Sequence, residues 1–162
     1  MKKVTGYGLW LAVALFASSE ANADSVQRVA GLQPVAENAY IRAPIAGQKN
    51  TAAFLVLINP GKQDRVLVGV ETSLAGRAEL HSHTQVDGMM RMRHEKQLVL
   101  PAGQRLELAP GGLHIMLFDI TRPVRSGQSV DLELFFADGD HLSVTAQIKS
   151  VFDDAGHGHA HH

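Results

Sequence analysis

Beyond its first two dozen residues, the chain consists largely of short segments in which apolar and polar residues alternate. Alternation is typical of β-strands that bury one face, because successive side chains along a strand point to opposite sides. Gly, Pro, Asn or Asp separate the segments, and no apolar stripe with a helical period interrupts them. They comprise residues 37–44, 51–60, 64–73, 77–86, 89–95, 97–101, 105–110 and 112–120, and a hairpin over 129–151 whose turn is expected near Asp138 and Gly139. Eight to ten such strands predict an all-β domain, either an antiparallel β-sandwich or a Greek-key barrel.

The first 23 residues have the pattern of a secretory signal peptide. Lys2 and Lys3 precede an apolar run over 8–17, and Ala-Asn-Ala at 21–23 matches a small-residue cleavage signal. The run is about half the roughly 20 residues that a membrane-spanning helix needs, so an uncleaved anchor is the weaker alternative. We expect cleavage after Ala23 and export to the periplasm without stable membrane insertion. The remainder is divided into a β-sandwich domain over 24–152 and a tail over 153–162.

Several classes of function are disfavoured by what the sequence lacks. It contains no cysteine, so it offers no disulfide, no thiolate nucleophile and no ligand for a blue-copper electron-transfer site. The formal net charge is −1 and the charges are scattered, without the basic stripe that binding to nucleic acid requires. Neither paired carboxylates nor a nucleophile motif can be recognised, and we expect a binding protein rather than an enzyme.

Methionine is confined to one part of the sequence. Apart from the initiator, the methionines are Met89, Met90, Met92 and Met116, which lie close to several histidines. Methionines that only filled gaps in a core would be spread among the strands. Thioether sulfur is a soft ligand that favours Cu(I), and imidazole binds both Cu(I) and Cu(II). The cluster therefore indicates a copper site, with packing as the alternative interpretation.

The period of two assigns His114 and Met116 to one face of their strand. Leu113, Ile115 and Leu117 share the other face, which we expect to be the core, so that the His114/Met116 pair looks outward.

The same rule puts His81 and His83 on one face of an earlier strand, and Met90 and Met92 on one face of the next. We expect all three pairs to meet at one end of the sandwich, whereas Met89 points the other way and is expected to be a packing residue.

The segment AELHSHTQVDGMMRMR and the later LAPGGLHIMLFDI resemble the periplasmic copper chaperones called PCu(A)C. His81, Met92, His114 and Met116 match the family pattern H-x10-M-x21-H-x-M without a gap, and the similarity extends over roughly residues 35–148. The resemblance implies a cupredoxin-like β-sandwich that binds one Cu(I) through these four residues in an exposed site. It also implies delivery of copper to the Cu-A centre of cytochrome c oxidase subunit II, alongside Sco-type proteins.

Four further residues of the predicted sheet have less specific interpretations. His83 and Met90 are candidate auxiliary copper ligands, and a solvated strand residue is the alternative for His83. His94 and His141 lie among charged and turn residues and are interpreted as plain surface residues.

The tail, DDAGHGHAHH, differs in composition from the rest of the chain. Its Gly, Ala and His residues cannot bury enough apolar surface to order themselves, so we expect disorder without a ligand. A second copper site, selective for Cu(II) because it lacks thioethers, is predicted at His157, His159, His161 and His162. A tag remnant and a solvated tail with incidental metal affinity are the alternatives.

Two functions are compatible with these patterns. The leading hypothesis is a copper metallochaperone, and the alternative is a periplasmic protein of copper sequestration or resistance. A mononuclear copper oxidase receives little support, because no substrate pocket or acid/base pair can be recognised in the sequence.

Overall fold

The structure, a computed structural model, describes residues 33–45, 47–86 and 88–150. Within that range lie ten β-strands: β1 (Val35–Arg42), β2 (Thr51–Ile58), β3 (Arg65–Glu71), β4 (Ala75–Val86), β5 (Met89–Glu95), β6 (Leu98–Leu100), β7 (Arg105–Leu108), β8 (Leu113–Ile120), β9 (Ser129–Phe136) and β10 (His141–Lys149). These residues include no helix long and apolar enough to cross a membrane. The predicted signal peptide, 1–23, and the tail, 153–162, lie outside the described residues.

The strands form one hydrogen-bonded sheet in the order β5, β4, β8, β2, β1, β10, β9, β3, β6. The short strand β7 pairs with the second half of β2, beyond the residues of β2 that pair with β8. The sheet is open, and β5 lies at one edge. The all-β prediction is confirmed.

One pairing differs from the antiparallel sheet that was predicted. β1 and β10 run parallel, with Arg42 opposite Lys149, while the other strand pairs of the described sheet are antiparallel. A parallel pair needs a long connection between its strands. Here the connection consists of all the residues between the first and last strands of the domain. No local sequence signal therefore predicts the parallel pairing.

One hydrophobic core is built from alternate residues of these strands. In β9 the even-numbered residues 130–136 are buried, whereas Ser129 and Asp131 are exposed. Ile115 and Leu117 of β8 are fully buried in the same core. None of the seven residues of β5 belongs to it. β5 is therefore held in place by its pairing with β4, and its side chains are available for other roles.

Arg65, at the start of β3, forms ion pairs with the turn between β9 and β10. Its Nε lies 2.9 Å from Oδ2 of Asp138, and its Nη2 lies 2.8 Å from Oδ2 of Asp140. The guanidinium carbon also lies 5.1 Å from the ring centroid of Phe136. The hydrogen bond from Arg65 is the main reason that the pKa of Asp140 lies below its usual value, and one from Gln33 contributes.

Replacing Asp140 with Asn is expected to lower stability at neutral pH and to matter less in acid. Because the pKa of Asp140 is lower in the folded protein than in the unfolded chain, its carboxylate stabilises the fold above the unfolded-state pKa. That contribution is lost as the pH falls through the folded-state pKa. Urea unfolding midpoints of wild type and Asp140→Asn should therefore differ near neutrality and converge at low pH.

The control for this prediction is the same substitution made in an Arg65→Gln background, where its effect at neutral pH should be smaller. A difference between wild type and Asp140→Asn that is constant across the whole pH range would contradict the assignment.

Candidate metal centre

Strand β4 lies between β5 and β8, and its register brings histidines of three strands into one row. His81 is directly opposite His94 of β5 on one side and His114 of β8 on the other. Its ring centroid is 5.6 Å from that of His94 and 5.8 Å from that of His114. His81 therefore occupies the middle of the row.

Residues on this side of the sheet were assigned correctly by the period of two. Leu80, Ile115 and Leu117, which are next in sequence to His81, His114 or Met116, point to the opposite face and are buried in the core. Leu113 packs against the same core. Thus His114 and Met116 share the face that carries His81, as predicted.

The expected outward exposure of His114 and Met116 was wrong for the histidine. His114 is only 3% exposed and His81 only 8%, whereas Met116 is half-buried. The Phe54 ring of β2 lies 6.4 Å from the His114 ring, and the Phe118 ring lies 6.0 Å from the His81 ring. These aromatic rings lie beside the histidines on the same face, and single-strand periodicity does not reveal such neighbours.

Each buried histidine has one ring nitrogen held by the protein and one left without a partner. Nδ1 of His114 lies 3.0 Å from the carbonyl oxygen of Gly112, and Nε2 of His81 lies 2.9 Å from Oε2 of Glu79. Both acceptors require N–H at the nitrogen they contact, so the lone pairs of the neutral rings are at Nε2 of His114 and Nδ1 of His81. Those two nitrogens are buried and have no hydrogen-bond partner. An orienting acceptor on one side and a free lone pair on the other is the usual state of a histidine that binds metal.

Burial, together with the neighbouring histidines, favours neutral imidazole at His114. Burial lowers the pKa of His114, the nearby His83 and His81 lower it further, and the hydrogen bond to Gly112 opposes the shift only in part. The hydrogen bond with His81 lowers the pKa of Glu79, which Arg77 also contacts. Glu79 is therefore ionised at neutral pH and remains an acceptor for His81.

The two predicted thioether ligands lie on either side of the His81/His114 row. Met92 is the residue of β5 directly opposite His83, one row from His81, and it is 49% exposed. Met116 is directly opposite Glu79, one row from His81 in the other direction. Both are thus diagonal neighbours of His81, at roughly 7–8 Å between backbones, which long side chains can bridge. The structure brings the two histidines together and puts one methionine within side-chain reach on each side.

Histidine and carboxylate side chains do not form a complete site by themselves. In the described ranges 33–45, 47–86 and 88–150, no group of three or more His, Asp or Glu side chains could hold a metal ion. A metal ion at the His81/His114 pair would therefore take one or more further ligands of another type, and methionine is the one at hand.

The remaining candidates have different surroundings from those expected. His83 is partly buried against His114, with ring centroids 4.7 Å apart, and Met90 is 59% exposed on the same face. His94 is exposed as predicted, but its ring also contacts His81. Met89 points to the other face and is 56% exposed, so its interpretation as a packing residue was wrong. It lies on edge strand β5, which has no core beneath it.

His141 is exposed on β10, at the far side of the sheet order from β4, with its ring 6.5 Å from that of Phe135. The tail histidines 157, 159, 161 and 162 lie outside the described residues.

Sequence reasoning missed Glu79 and Gly112, the acceptors that orient the two histidines. Each stands two residues before the histidine it contacts. Glu79 therefore shares the strand face of His81, whereas Gly112 acts through its backbone carbonyl just before β8 begins. The spacing of Glu79 was an available signal, since a carboxylate beside a ligand histidine is a common supporting contact.

The chain is similar in sequence to one protein family and to individual bacterial proteins. The profile of the LpqE-like family, described as "Putative lipoprotein LpqE-like", matches residues 35–148. "Putative lipoprotein Lxx21020" of Leifsonia xyli subsp. xyli is 37% identical over 112 residues, which is 68% of this chain. The "Uncharacterized protein RP573" of Rickettsia prowazekii is 24% identical over 102 residues, or 62% of this chain. The chain spans 66% and 56% of the lengths of these two relatives, respectively.

Solved structures of copper proteins resemble the fold. A solution structure of the Cu(I) form of DR1885 from Deinococcus radiodurans has a TM-score of 0.60 and 32% identity, covering 82% of this chain and 83% of that one. The apo PCuAC domain from PmoF1 has a TM-score of 0.63 and 25% identity, covering 74% and 96%. The cupredoxin-like all-β fold and the resemblance to PCu(A)C proteins are confirmed.

Replacing Glu79 with Ala is expected to weaken metal binding at the histidine pair. Loss of the acceptor frees the His81 ring to rotate, and removal of such a supporting contact typically costs roughly 10–100-fold in affinity. The measurement is competition for Cu(I) against a chromophoric chelator under anaerobic conditions. Glu107→Ala, which removes an exposed carboxylate from β7, is the matched control and should bind as wild type does. Equal affinities for the Glu79 and Glu107 variants would refute the role given to Glu79.

Proposed function

The chain belongs to the LpqE-like family, and from that premise we propose that it is an exported copper metallochaperone. It binds one Cu(I) through His81, Met92, His114 and Met116. It then delivers the ion to the Cu-A centre of cytochrome c oxidase subunit II, with Sco-type proteins as acceptor or co-chaperone. Copper is the cargo of the protein, and no catalytic turnover is required.

The observation that carries the proposal is the pair of unpartnered nitrogens, Nδ1 of His81 and Nε2 of His114. Leaving a buried polar atom without a partner costs about 1–3 kcal/mol. A fold that leaves two such atoms at neighbouring side chains is expected to use them for a function that compensates for this cost. Copper supplies the missing partner for both nitrogens at once. Glu79 and Gly112 meanwhile keep the rings from turning.

The donor types support Cu(I) as the ion. Met92 and Met116 offer uncharged, soft sulfur on either side of the histidine pair, and Cu(I) is the common biological ion that prefers such donors. Zinc prefers thiolate, imidazole and carboxylate. The sequence has no cysteine, and Glu79 already accepts a hydrogen bond from His81 and contacts Arg77. The relative DR1885 from Deinococcus radiodurans, which has a solution structure of its Cu(I) form, supports the same choice.

The position of Met92 supports delivery. It is 49% exposed on edge strand β5, which contributes nothing to the core, so an acceptor can approach the thioether without disturbing the fold. A ligand that is reached first by an incoming protein is also the first to be displaced. Buried His81 and His114 would hold the ion until the exchange is under way.

Export and periplasmic localisation are part of the proposal. The family and one relative are described as lipoproteins, a class of exported proteins, and residues 1–23 have the composition of a signal peptide with cleavage after Ala23.

Deleting the gene is expected to leave cytochrome c oxidase short of copper when copper is scarce. Reintroducing the wild-type gene should restore oxidase activity, whereas the Met92→Ala, Met116→Ala double variant should not, because it lacks both thioethers. Met89→Ala, which removes an exposed methionine from the opposite face of β5, is the matched control and should restore activity. Oxidase activity per cell at low copper is the readout. Full activity with the double variant would rule out thioether-based delivery.

A second function, copper sequestration or resistance, is favoured by the four histidines of the tail. Imidazoles without thioethers suit Cu(II), and a protein with one such site in its tail and a Cu(I) site in its sheet would buffer copper without a dedicated acceptor. Under this function the deletion strain would be sensitive to excess copper and would assemble its oxidase normally.

Removing the tail is expected to remove a Cu(II) site and leave the Cu(I) site intact. Titration of residues 24–162 with Cu(II) should show an additional equivalent relative to a chain truncated after Asp154. Because imidazole binds metal only when neutral, tail occupancy should decline as the pH drops through about 6.5. Cu(I) affinity should be the same in both chains. Identical Cu(II) stoichiometry with and without residues 155–162 would remove the tail from the mechanism.

A further inference from the structure

His83 carries a third buried nitrogen that the proposed ligand set leaves unexplained. Its Nδ1 has no hydrogen-bond partner, the same condition found at Nδ1 of His81 and Nε2 of His114. Copper bound by the four proposed ligands accounts for the latter two atoms only. Leaving Nδ1 of His83 without a partner also costs free energy, so this nitrogen needs a partner of its own.

The surroundings of His83 contain the remaining donors of a metal site. Its ring is closer to His114 than that of His81 is, with centroid distances of 4.7 Å and 5.8 Å, respectively. Met92 is its direct cross-strand neighbour on β5. Side chains of directly opposite residues are closer than diagonal ones, so Met92 is better placed to share an ion with His83 than with His81.

One carbonyl group fixes the relation between His83 and His114. The oxygen of Gly112 accepts the backbone N–H of His83 at 3.1 Å and also contacts Nδ1 of His114 at 3.0 Å. The backbone of His83 and the ring of His114 are thus anchored to the same atom. This arrangement holds Nε2 of His114 at a fixed position relative to both β4 histidines.

We propose that His83 is a copper ligand and that the four ligands of the proposed function divide between two overlapping copper positions, an inner one at His81, His114 and Met116 and an outer one in which His83 joins His114 and Met92. The inference rests on the proposed function, since it concerns the route by which Cu(I) leaves the same site. His114 belongs to both positions. Each has two imidazoles and one thioether, so the two sets are chemically equivalent for Cu(I).

Transfer between the positions is an exchange of ligands. The bond from copper to Nδ1 of His83 forms as the bond to Nδ1 of His81 breaks, and sulfur of Met92 replaces sulfur of Met116. The ion stays Cu(I), the imidazoles stay neutral, and no proton or electron is transferred. The ligands of β4 are two residues apart, a step of about 6.8 Å along an antiparallel strand.

Differences in exposure give the exchange a direction. His81 and Met116 of the inner position are buried and half-buried, whereas Met92 of the outer position is 49% exposed on the edge of the sheet. The inner position is suited to retention and the outer one to release. Copper that has moved outward is bound by the strand that an acceptor meets first.

The test uses the mature chain, labelled with ¹⁵N at histidine, and Ag(I) as a probe that mimics Cu(I) without redox chemistry. Imidazole ¹⁵N resonances are recorded as Ag(I) is added. Nδ1 of His83 should shift together with Nδ1 of His81 and Nε2 of His114, while the ring of His141 on β10 should not. Shifts confined to His81 and His114 would overturn the role of His83 and leave the proposed function standing. Failure of the wild-type chain to bind Ag(I) and Cu(I) would overturn both.

A kinetic experiment tests the direction of transfer. The rate at which Cu(I) passes from the protein to an excess of a chromophoric chelator is compared for wild type, His83→Ala and the control His141→Ala. His83→Ala should still load Cu(I) at the inner position and should release it about ten times more slowly. A rate equal to those of wild type and the control would refute the outer position. If His83→Ala folds poorly, the imidazole ¹⁵N resonances of the wild-type chain with Ag(I) still show whether His83 is a ligand.

Discussion

The register of β4 against β5 and β8 is the constraint on which the site depends. With His81 opposite both His94 and His114, every ligand candidate of three strands falls on one face and Leu80, Ile115 and Leu117 fall in the core. A slip of one residue in either pairing would turn a whole strand over and put its histidines or methionines against the core. Burial of the leucine and isoleucine side chains therefore selects the same register that assembles the metal centre.

That register also requires the fold to hold imidazoles in a partly apolar layer. Phe54 and Phe118 lie beside the histidine pair, and burial is the main cause of the lowered pKa of His114. A neutral, fixed ring with a free lone pair is ready to bind metal without losing a proton. The unpartnered nitrogens make the site a place where local stability is lower in the metal-free protein, as is common where function and packing compete.

Much of this arrangement follows from the sequence, because a period of two is sufficient to assign faces within a strand. β5 has the predicted bounds, the turn near Asp138 and Gly139 exists, and His114 lies opposite to the core face. Periodicity does not predict which strands pair with each other. It therefore could not predict the parallel pairing of β1 with β10.

The burial of His114 could not be predicted for the same reason, because it depends on a neighbouring strand. Its aromatic neighbour Phe54 lies sixty positions earlier, on a strand that pairs with β8 only in the folded sheet. Met89 shows the opposite limit. Its orientation away from the ligand face predicted packing, but its edge strand has no core to pack against. Glu79 could have been found from spacing alone, by asking which side chain two positions away would orient His81, whereas the carbonyl contact of Gly112 depends on the backbone path before β8.

X-ray absorption at the copper edge tests the central claim most directly, because it counts sulfur and nitrogen neighbours of the bound ion. The mature chain loaded anaerobically with one equivalent of Cu(I) should show both nitrogen scattering from imidazole and sulfur scattering from thioether in the first coordination shell. The sulfur contribution should disappear in the Met92→Ala, Met116→Ala variant and persist in Met89→Ala. A shell of nitrogen and oxygen alone in the wild-type protein would contradict the account, because copper would then be bound without the methionines on either side of His81.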